Sequence, residues 1–194
     1  MNNQNFDNLS GKILIASPFV LFGDVFHRSI IYVLSHTKDG SVGLIVNHLV
    51  NKVKFKALFQ IIKNNSFDNN KKDDLTIPVY LGGPVELERG FFLHSNDYDK
   101  NVLFNFHDNL AVSSNIEILE DIYAGIGPKD SLFVIGYTGW EAGQLELELE
   151  NNLWIISDYD QSLIFSNSPE QKWHKALDHL GIANTCFASK AGHC

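Results

Sequence analysis

The amino-acid sequence predicts an α+β fold, with residues 1–194 forming a single domain around a complex mixed β-sheet, partly folded on itself and barrel-like, with flanking helices. Three observations support this prediction. Short apolar runs typical of strands outnumber segments with helical periodicity. Several of these runs are joined by hairpin signals such as Asp39-Gly40. The 194 residues show no internal repeat or linker, and their 44% hydrophobic content is enough for a sizeable core.

The N-terminal part is predicted to consist mostly of strands. Apolar runs indicate three strands, at residues 12–16, 29–35 and 41–46. An apolar loop at residues 19–27 is expected to pack down as a lid or to meet a partner. Residues 53–62 fit a short amphipathic helix, and residues 64–74 form a polar loop of low complexity.

The middle of the chain continues this pattern of short strands. Four more strands are indicated at residues 77–81, 90–94, 102–106 and 110–112, and the last two are expected to pair. The segment at residues 85–89 is predicted to be a turn or a bulge. A helix is expected from a cap at Ser114 or Asn115 to Tyr123, and another after the cap Ser168.

The segment at residues 131–156 is the centre of the prediction. An apolar strand at residues 132–135 leads into Gly136-Tyr137-Thr138-Gly139-Trp140, which indicates a tight, aromatic-lined turn into a helix. Residues 145–150 alternate Leu and Glu as a half-exposed strand would. Their high helix propensity nevertheless favours a helix. We expect Gly136 or Gly139 to hold a positive φ or a close backbone approach, and Trp140 to be buried.

Composition narrows the possible functions. The formal net charge of −8 argues against binding to a nucleic-acid backbone, which requires clustered cations. The polar N-terminus and the lack of an apolar run of about 18 residues predict neither a signal peptide nor a membrane span. Two cysteines are too few for a secreted disulfide scaffold. The sequence therefore predicts a cytoplasmic protein that contacts neither nucleic acid nor membrane.

The two arginines, Arg28 and Arg89, stand out among 15 basic residues. Lysine cannot replace the planar donor fork of arginine. Both positions are therefore candidates for bidentate recognition of an anion. The alternative is an ordinary ion pair with a nearby Asp or Glu.

Four segments carry a family resemblance: KILIASP, DGSVGLIVNH, VYLGGPVELERGFFLHS and LFVIGYTGWEAGQLELELENNLWII. In this order they resemble the AlgH/YqgE family of bacterial proteins. The resemblance implies a mixed sheet with flanking helices, a cytosolic location and the label of transcriptional regulator that some members carry. Two positions depart from the family pattern. Ser35-His36 stands where Glu-His is common, and His48-Leu49 stands where a basic residue and proline are common.

Standard catalytic motifs are missing from the sequence. It contains no phosphate-binding loop, dinucleotide fingerprint, Gly-x-Ser-x-Gly elbow or His-Glu-x-x-His motif. The set of His179, Cys186, His193 and Cys194 matches no compact zinc spacing, so we predict no metal and no cofactor. The glutamates at residues 141–150 are interpreted as a solvated helix face, and no catalytic residue is assigned.

Polar and small residues at strand ends form the predicted ligand site. The candidates are Asn47, Gly82, Gly83, Arg89, His94, Tyr137 and Trp140. Backbone amides at glycine turns, an arginine fork and aromatic walls can hold a small anionic or planar ligand. Alternatively, the glycines only let the sheet turn corners. The sequence favours a binding module for a small ligand or a protein. The alternatives are a hydrolase or transferase using His94 and Arg89, and then a transcriptional regulator.

Overall fold

The computed structural model describes residues 8–18, 25–55, 57–58, 76–106, 109–166 and 168–182. In these ranges the strands are β1 (Ile13–Ala16), β2 (Ile30–Thr37), β3 (Gly40–Ile45), β4 (Leu49–Lys54), β5 (Thr76–Leu81), β6 (Val85–Ser95), β7 (Val102–Phe106), β8 (Leu110–Ser113), β9 (Ser131–Glu141) and β10 (Trp154–Ser157). The helices are α1 (Glu117–Ala124), α2 (Gln144–Glu150), α3 (Gln161–Phe165) and α4 (Pro169–His179). The predicted α+β class is confirmed.

The strands form one ten-stranded, curled sheet in the order β10-β1-β2-β3-β9-β6-β8-β7, with β5 and β4 off this path. Strand β9 joins the two halves. Its C-terminal part pairs with β3, and its N-terminal part pairs with β5 and β6. The β5–β9 pair is parallel and the other pairings among the described strands are antiparallel, so the sheet is mixed, as predicted.

Both faces of the sheet are covered, which explains why its inner strands are continuous apolar runs. In β1, Ile13 and Ile15 pack on the face that also holds α3 and α4. Leu14 and Ala16 point to the opposite face, where α2 packs. A third cluster joins α1 to β5 and β9. The alternation of strand side chains thus divides the core into layers.

The predicted turn at Gly136–Trp140 is wrong, because β9 continues through it to Glu141. Gly136 does hold a positive φ of 69°, as expected, but β9 continues on both sides of it. Strand β6 pairs with Ile135 and Tyr137, and β3 pairs from Thr138 onward. The helix α2 begins only at Gln144, after Gly143 in the left-handed region. Helix rather than strand is confirmed there.

Helix α2 also explains the alternating leucines. Leu145 and Leu149 are four residues apart and buried, whereas Leu147 is 58% exposed. Residues one turn apart on a helix share a face. The alternation of leucine and glutamate therefore comes from two buried leucines on one helical face and one exposed leucine between them.

The predicted helix at residues 53–62 is wrong at its start. Strand β4 extends to Lys54 and pairs with β5, with Val53 opposite Ile77. Strand pairing with a distant segment here outweighs the local helical periodicity. Residues 59–62, the polar loop at 64–74 and residues 19–24 of the apolar loop lie outside the described residues.

Several local predictions are confirmed. The β2–β3 hairpin turns at Lys38-Asp39, and β7 pairs with β8. The register of β6 shifts between Val85 and Gly90, which is the predicted bulge. Helix α4 starts at Pro169 after Ser168, although the Ser168 side chain makes no capping hydrogen bond.

Candidate functional site

The structure gives the seven predicted site residues four different sets of contacts. Gly82, Gly83, Arg89 and Tyr137 lie beside the register shift of β6, whose residues 86–89 we call the β6 bulge. The side chains of Asn47, His94 and Trp140 each make hydrogen bonds with a different part of the fold. The seven predicted residues therefore differ in what their side chains contact.

At the β6 bulge, the glycines serve close backbone packing. Val85 pairs with Tyr137 and Gly90 with Ile135, so four residues of β6 lie opposite Gly136. A Cβ on Gly83 would lie 2.2 Å from the carbonyl carbon of Tyr137, and one on Gly136 would lie 2.6 Å from the Gly83 oxygen. The space beside these glycines is filled by backbone, which favours their role in turning the sheet.

Arg89 is held inside a small polar cluster on the bulge. Its Nη1 donates to Glu86 Oε2 at 2.8 Å, and the Tyr137 hydroxyl donates to Glu86 Oε1 at 3.1 Å. The guanidinium also lies 5.6 Å from the Phe91 ring centroid. The hydrogen bond from Arg89 lowers the pKa of Glu86, and the bond to Glu86 raises the pKa of Tyr137. Glu86 is therefore a carboxylate that already occupies part of the arginine fork.

Apolar side chains surround this cluster on the surface. Val85 is 37% exposed and Leu87 is 51% exposed, and the bulge residues are exposed throughout. Arginine and tyrosine are enriched at protein interfaces, and the exposed aliphatic groups beside them add apolar area that a partner can cover. Glu86 holds a φ of 48°, in the left-handed region, so the bulge has a defined rather than an extended conformation.

His94 is fully buried, at 0% exposure. Its Nδ1 lies 2.9 Å from the Ser95 carbonyl oxygen, which can only accept, so Nδ1 carries the proton. Its Nε2, 3.0 Å from Ser113 Oγ, then accepts from that hydroxyl. This is the pairing of a base with a serine nucleophile, but Ser113 is also 0% exposed. Burial lowers the pKa of His94, so it is neutral.

Asn47 is buried, and its side chain makes hydrogen bonds to the turn before β2. Its Oδ1 accepts from Ile30 N and its Nδ2 donates to Arg28 O, both at 2.8 Å. Both ends of the side chain are thus used by backbone groups, as expected for a buried amide. Asn47 determines the path of the Arg28–Ile30 segment.

Trp140 is 7% exposed, as predicted, and its indole is tied to helix α2. Its Nε1 donates to Glu148 Oε2 at 2.8 Å, and Trp154 Nε1 donates to the same oxygen at 2.7 Å. Gln144 donates to the other oxygen, Oε1, at 2.9 Å. The interpretation of the 141–150 glutamates as a solvated face is therefore wrong for Glu148, which joins two strands to the helix.

A buried lysine escaped the sequence prediction. Lys172 is 0% exposed, and its Nζ donates to Val46 O at 2.9 Å and to Ile164 O. The amine also lies 5.4 Å from the Tyr80 ring centroid. Burial lowers the pKa of Lys172 to about 7. The sequence did contain a sign of this burial, because Lys172 lies on the same apolar helical face as Trp173 and Ala176.

Lys172 is expected to make stability rise with pH. Its folded pKa of about 7 lies below the ordinary 10.5, so the unfolded chain binds more protons between these values. The free-energy cost of burying the ammonium has its full value below pH 7 and falls to zero above pH 10.5. We expect the free energy of unfolding of wild type minus that of Lys172→Met to rise by about 1 kcal/mol per pH unit between pH 7 and 9.

Urea denaturation at several pH values measures this slope. Lys175→Met, an exposed change on the same helix, is the control and should leave the pH profile of the wild type in place. A constant difference between wild type and Lys172→Met across this range would contradict the prediction.

A groove of about 1170 Å³ lies between β10, α3 and α4. Leu163 contributes apolar lining, and Lys175 and His179 contribute polar groups. Lys12 at its side is paired with Asp158 at 2.6 Å. None of the seven predicted site residues lines this groove, so it is separate from the predicted site.

Two broader features concern the described part of the chain alone. None of its helices combines the length and the apolar character that crossing a membrane requires. Nor do its His, Cys, Asp and Glu side chains form a group of three or more suited to a metal ion. Cys186, His193 and Cys194 of the rejected zinc set lie outside the described residues.

Known proteins resemble this chain along most of its length. A family model described as AlgH-like matches residues 13–185. UPF0301 proteins of Rickettsia canadensis and Rickettsia typhi are 54% and 53% identical over 193 and 197 residues, with 100% of each chain covered. The solution structure of the AlgH protein from Pseudomonas aeruginosa matches with a TM-score of 0.76, 31% identity and 100% coverage of both chains.

A more distant structure shares the fold alone. The crystal structure of a Corynebacterium diphtheriae protein matches with a TM-score of 0.67 at 17% identity. It covers 87% of this chain and 85% of its own. The fold thus extends beyond sequences that are closely similar to this one.

Proposed function

Because this chain belongs to the AlgH-like family along most of its length, we propose that the whole fold acts as one protein-binding regulatory module, with the β6 bulge as its docking surface. The observation that carries the proposal is an exposed cluster of polar and apolar side chains. Glu86, Arg89 and Tyr137 hold one another in place, while Val85 and Leu87 stay exposed.

The arrangement fits a protein better than a small anion. An anionic ligand would have to compete with Glu86 for Arg89, and backbone fills the space beside Gly82 and Gly83. A protein surface can instead cover Leu87 and leave the ion pair between Arg89 and Glu86 intact. Preorganisation lowers the entropic cost of binding. The exposed Glu88 and the net charge of −8 favour a partner with an apolar centre and a basic rim.

The other functions receive less support. A hydrolase or transferase using His94 needs that side chain to touch a substrate, and both His94 and Ser113 are fully buried. Direct regulation at DNA is opposed by the net charge. We place the module in the cytoplasm, in keeping with its two cysteines.

Site-specific photo-crosslinking in living cells tests the docking surface. A photoreactive amino acid replaces Leu87 in one variant and Leu147, which is similarly exposed at 58%, in the other. We expect one discrete protein adduct from position 87 and none from position 147. The adduct should disappear when Arg89→Ala is added, because the bulge then loses its internal ion pair.

Two results would contradict the proposal. One is the same set of adducts from both positions, which would indicate random collisions. The other is an adduct at position 87 that persists unchanged with Arg89→Ala. Circular dichroism of each variant checks that the fold is retained.

A further inference from the structure

Arg28, the second arginine, lies in a setting different from that of Arg89. Its guanidinium carbon is 5.3 Å from the ring centroid of Trp173 on α4. Among the described residues, no carboxylate forms an ion pair with Arg28. Stacking on an aromatic face leaves the edge of the guanidinium free to donate to an anion.

The backbone at Arg28 is held in an unusual conformation. Arg28 has a φ of 52°, in the left-handed region that few residues other than glycine adopt. Asn47 holds this turn through hydrogen bonds to Arg28 O and Ile30 N, and Ser29 Oγ donates to Phe26 O at 3.0 Å. Backbone strain of this kind persists only where the surroundings impose it, and it concentrates at binding sites.

Two histidines flank the arginine. His48 Nε2 lies 3.2 Å from the carbonyl oxygen of His27 and donates to it, which leaves His48 Nδ1 unused by this contact. His27 is exposed beside Arg28 in the same turn. Burial lowers the pKa of His48 and so favours its neutral form. In that form its one N–H is used by the His27 carbonyl, so His48 positions the turn.

From this geometry we infer that His27 and Arg28 form a binding site for a phosphate group, either inorganic phosphate or a phosphate monoester, and that His48 holds the turn that carries them. A phosphate offers an edge to the arginine fork and a further oxygen to a histidine. A monocarboxylate can fill only the fork. The site places an arginine guanidinium on a chain of net charge −8, and it goes beyond the proposed docking function.

Nuclear magnetic resonance titration with sodium phosphate tests the site. The indole N–H of Trp173, which donates to Ala16 O at 2.9 Å, reports on the ring beneath Arg28. We expect its signal and the Ser29 amide to shift and saturate with phosphate. Sodium chloride at equal ionic strength should not do this, and sodium acetate should bind more weakly than phosphate.

The two arginines give matched variants. Arg28→Lys should weaken phosphate binding about tenfold, the effect of losing one charge-assisted hydrogen bond, whereas Arg89→Lys should leave it unchanged. His27→Gln should weaken binding without altering distant amides. A phenyl phosphate titration then separates the two sources, because a monoester site admits the aryl group and a free-phosphate site does not.

Three results would overturn the inference: shifts that never saturate, equal loss in Arg28→Lys and Arg89→Lys, or wild-type binding by Arg28→Lys. The spectra of the variants show directly whether each remains folded. Failure of phosphate binding would leave the crosslinking result at Leu87 untouched, so the two proposals are tested separately.

Discussion

Gly136→Ala is expected to lower the free energy of unfolding by about 3 kcal/mol or more, whereas Gly139→Ala changes it little. At Gly136 the new Cβ would lie 2.6 Å from Gly83 O, and the residue would have to keep a φ of 69°. At Gly139 the nearest atoms to a new Cβ, Ser41 O and a Tyr137 ring carbon, are 3.9 Å away. Ordinary contact at that distance needs no rearrangement.

Chemical denaturation of the two variants measures this contrast. The positions lie three residues apart on the same strand, so Gly139→Ala controls for the loss of glycine itself. Equal midpoints for the two variants would show that the approach of β9 to the segment before β6 is not constrained.

Trp140→Ala is expected to lower the free energy of unfolding by about 3–5 kcal/mol, the usual range for a buried aromatic side chain. The ring is 7% exposed and packs edge-on against Trp154 at a centroid distance of 6.2 Å. Truncation leaves a cavity between β9 and α2. It also removes one of the two indole donors to Glu148.

Trp140→Phe separates these contributions. It retains most of the ring volume but removes the donor, so its loss should be smaller than that of alanine and close to that of one hydrogen bond, about 1–3 kcal/mol. Denaturation curves of both variants provide the comparison. If alanine and phenylalanine unfold at the wild-type midpoint, the corner between β9 and α2 contributes nothing to stability.

The sequence predicted the elements that local patterns determine. The β2–β3 hairpin follows from Asp39-Gly40 between apolar runs, and α4 follows from Pro169 at its first position. The sequence-based prediction was wrong where strand pairing with distant segments determines the local structure. Gly136 reads as a turn signal, but β3 and β6 hold it within a strand. Strand β4 exists because β5 pairs with it.

The candidate site was predicted in part for the same reason. Composition singled out Arg89 as either an anion-binding residue or a member of an ion pair. The structure shows the ion pair, with Glu86 three residues away. Arg28 was singled out equally, but its neighbour Trp173 is 145 positions later in the chain and left no local pattern. Glu148 looked like the other helix glutamates, because its two indole partners come from separate strands.

The position of β9 also has a consequence for how the chain reaches this fold. Strand β1 pairs with β10, so Ile13 lies opposite Ser157. Strand β3 pairs with the C-terminal half of β9, which is also synthesised much later. The three N-terminal strands β1, β2 and β3 therefore leave the ribosome before the partners of the two outer strands, β1 and β3, have been made. Pairings this distant in sequence are slow to form, because the loop between them must be ordered first. The period during which β1 and β3 remain open is the interval in which a nascent chain is most exposed to wrong strand partners.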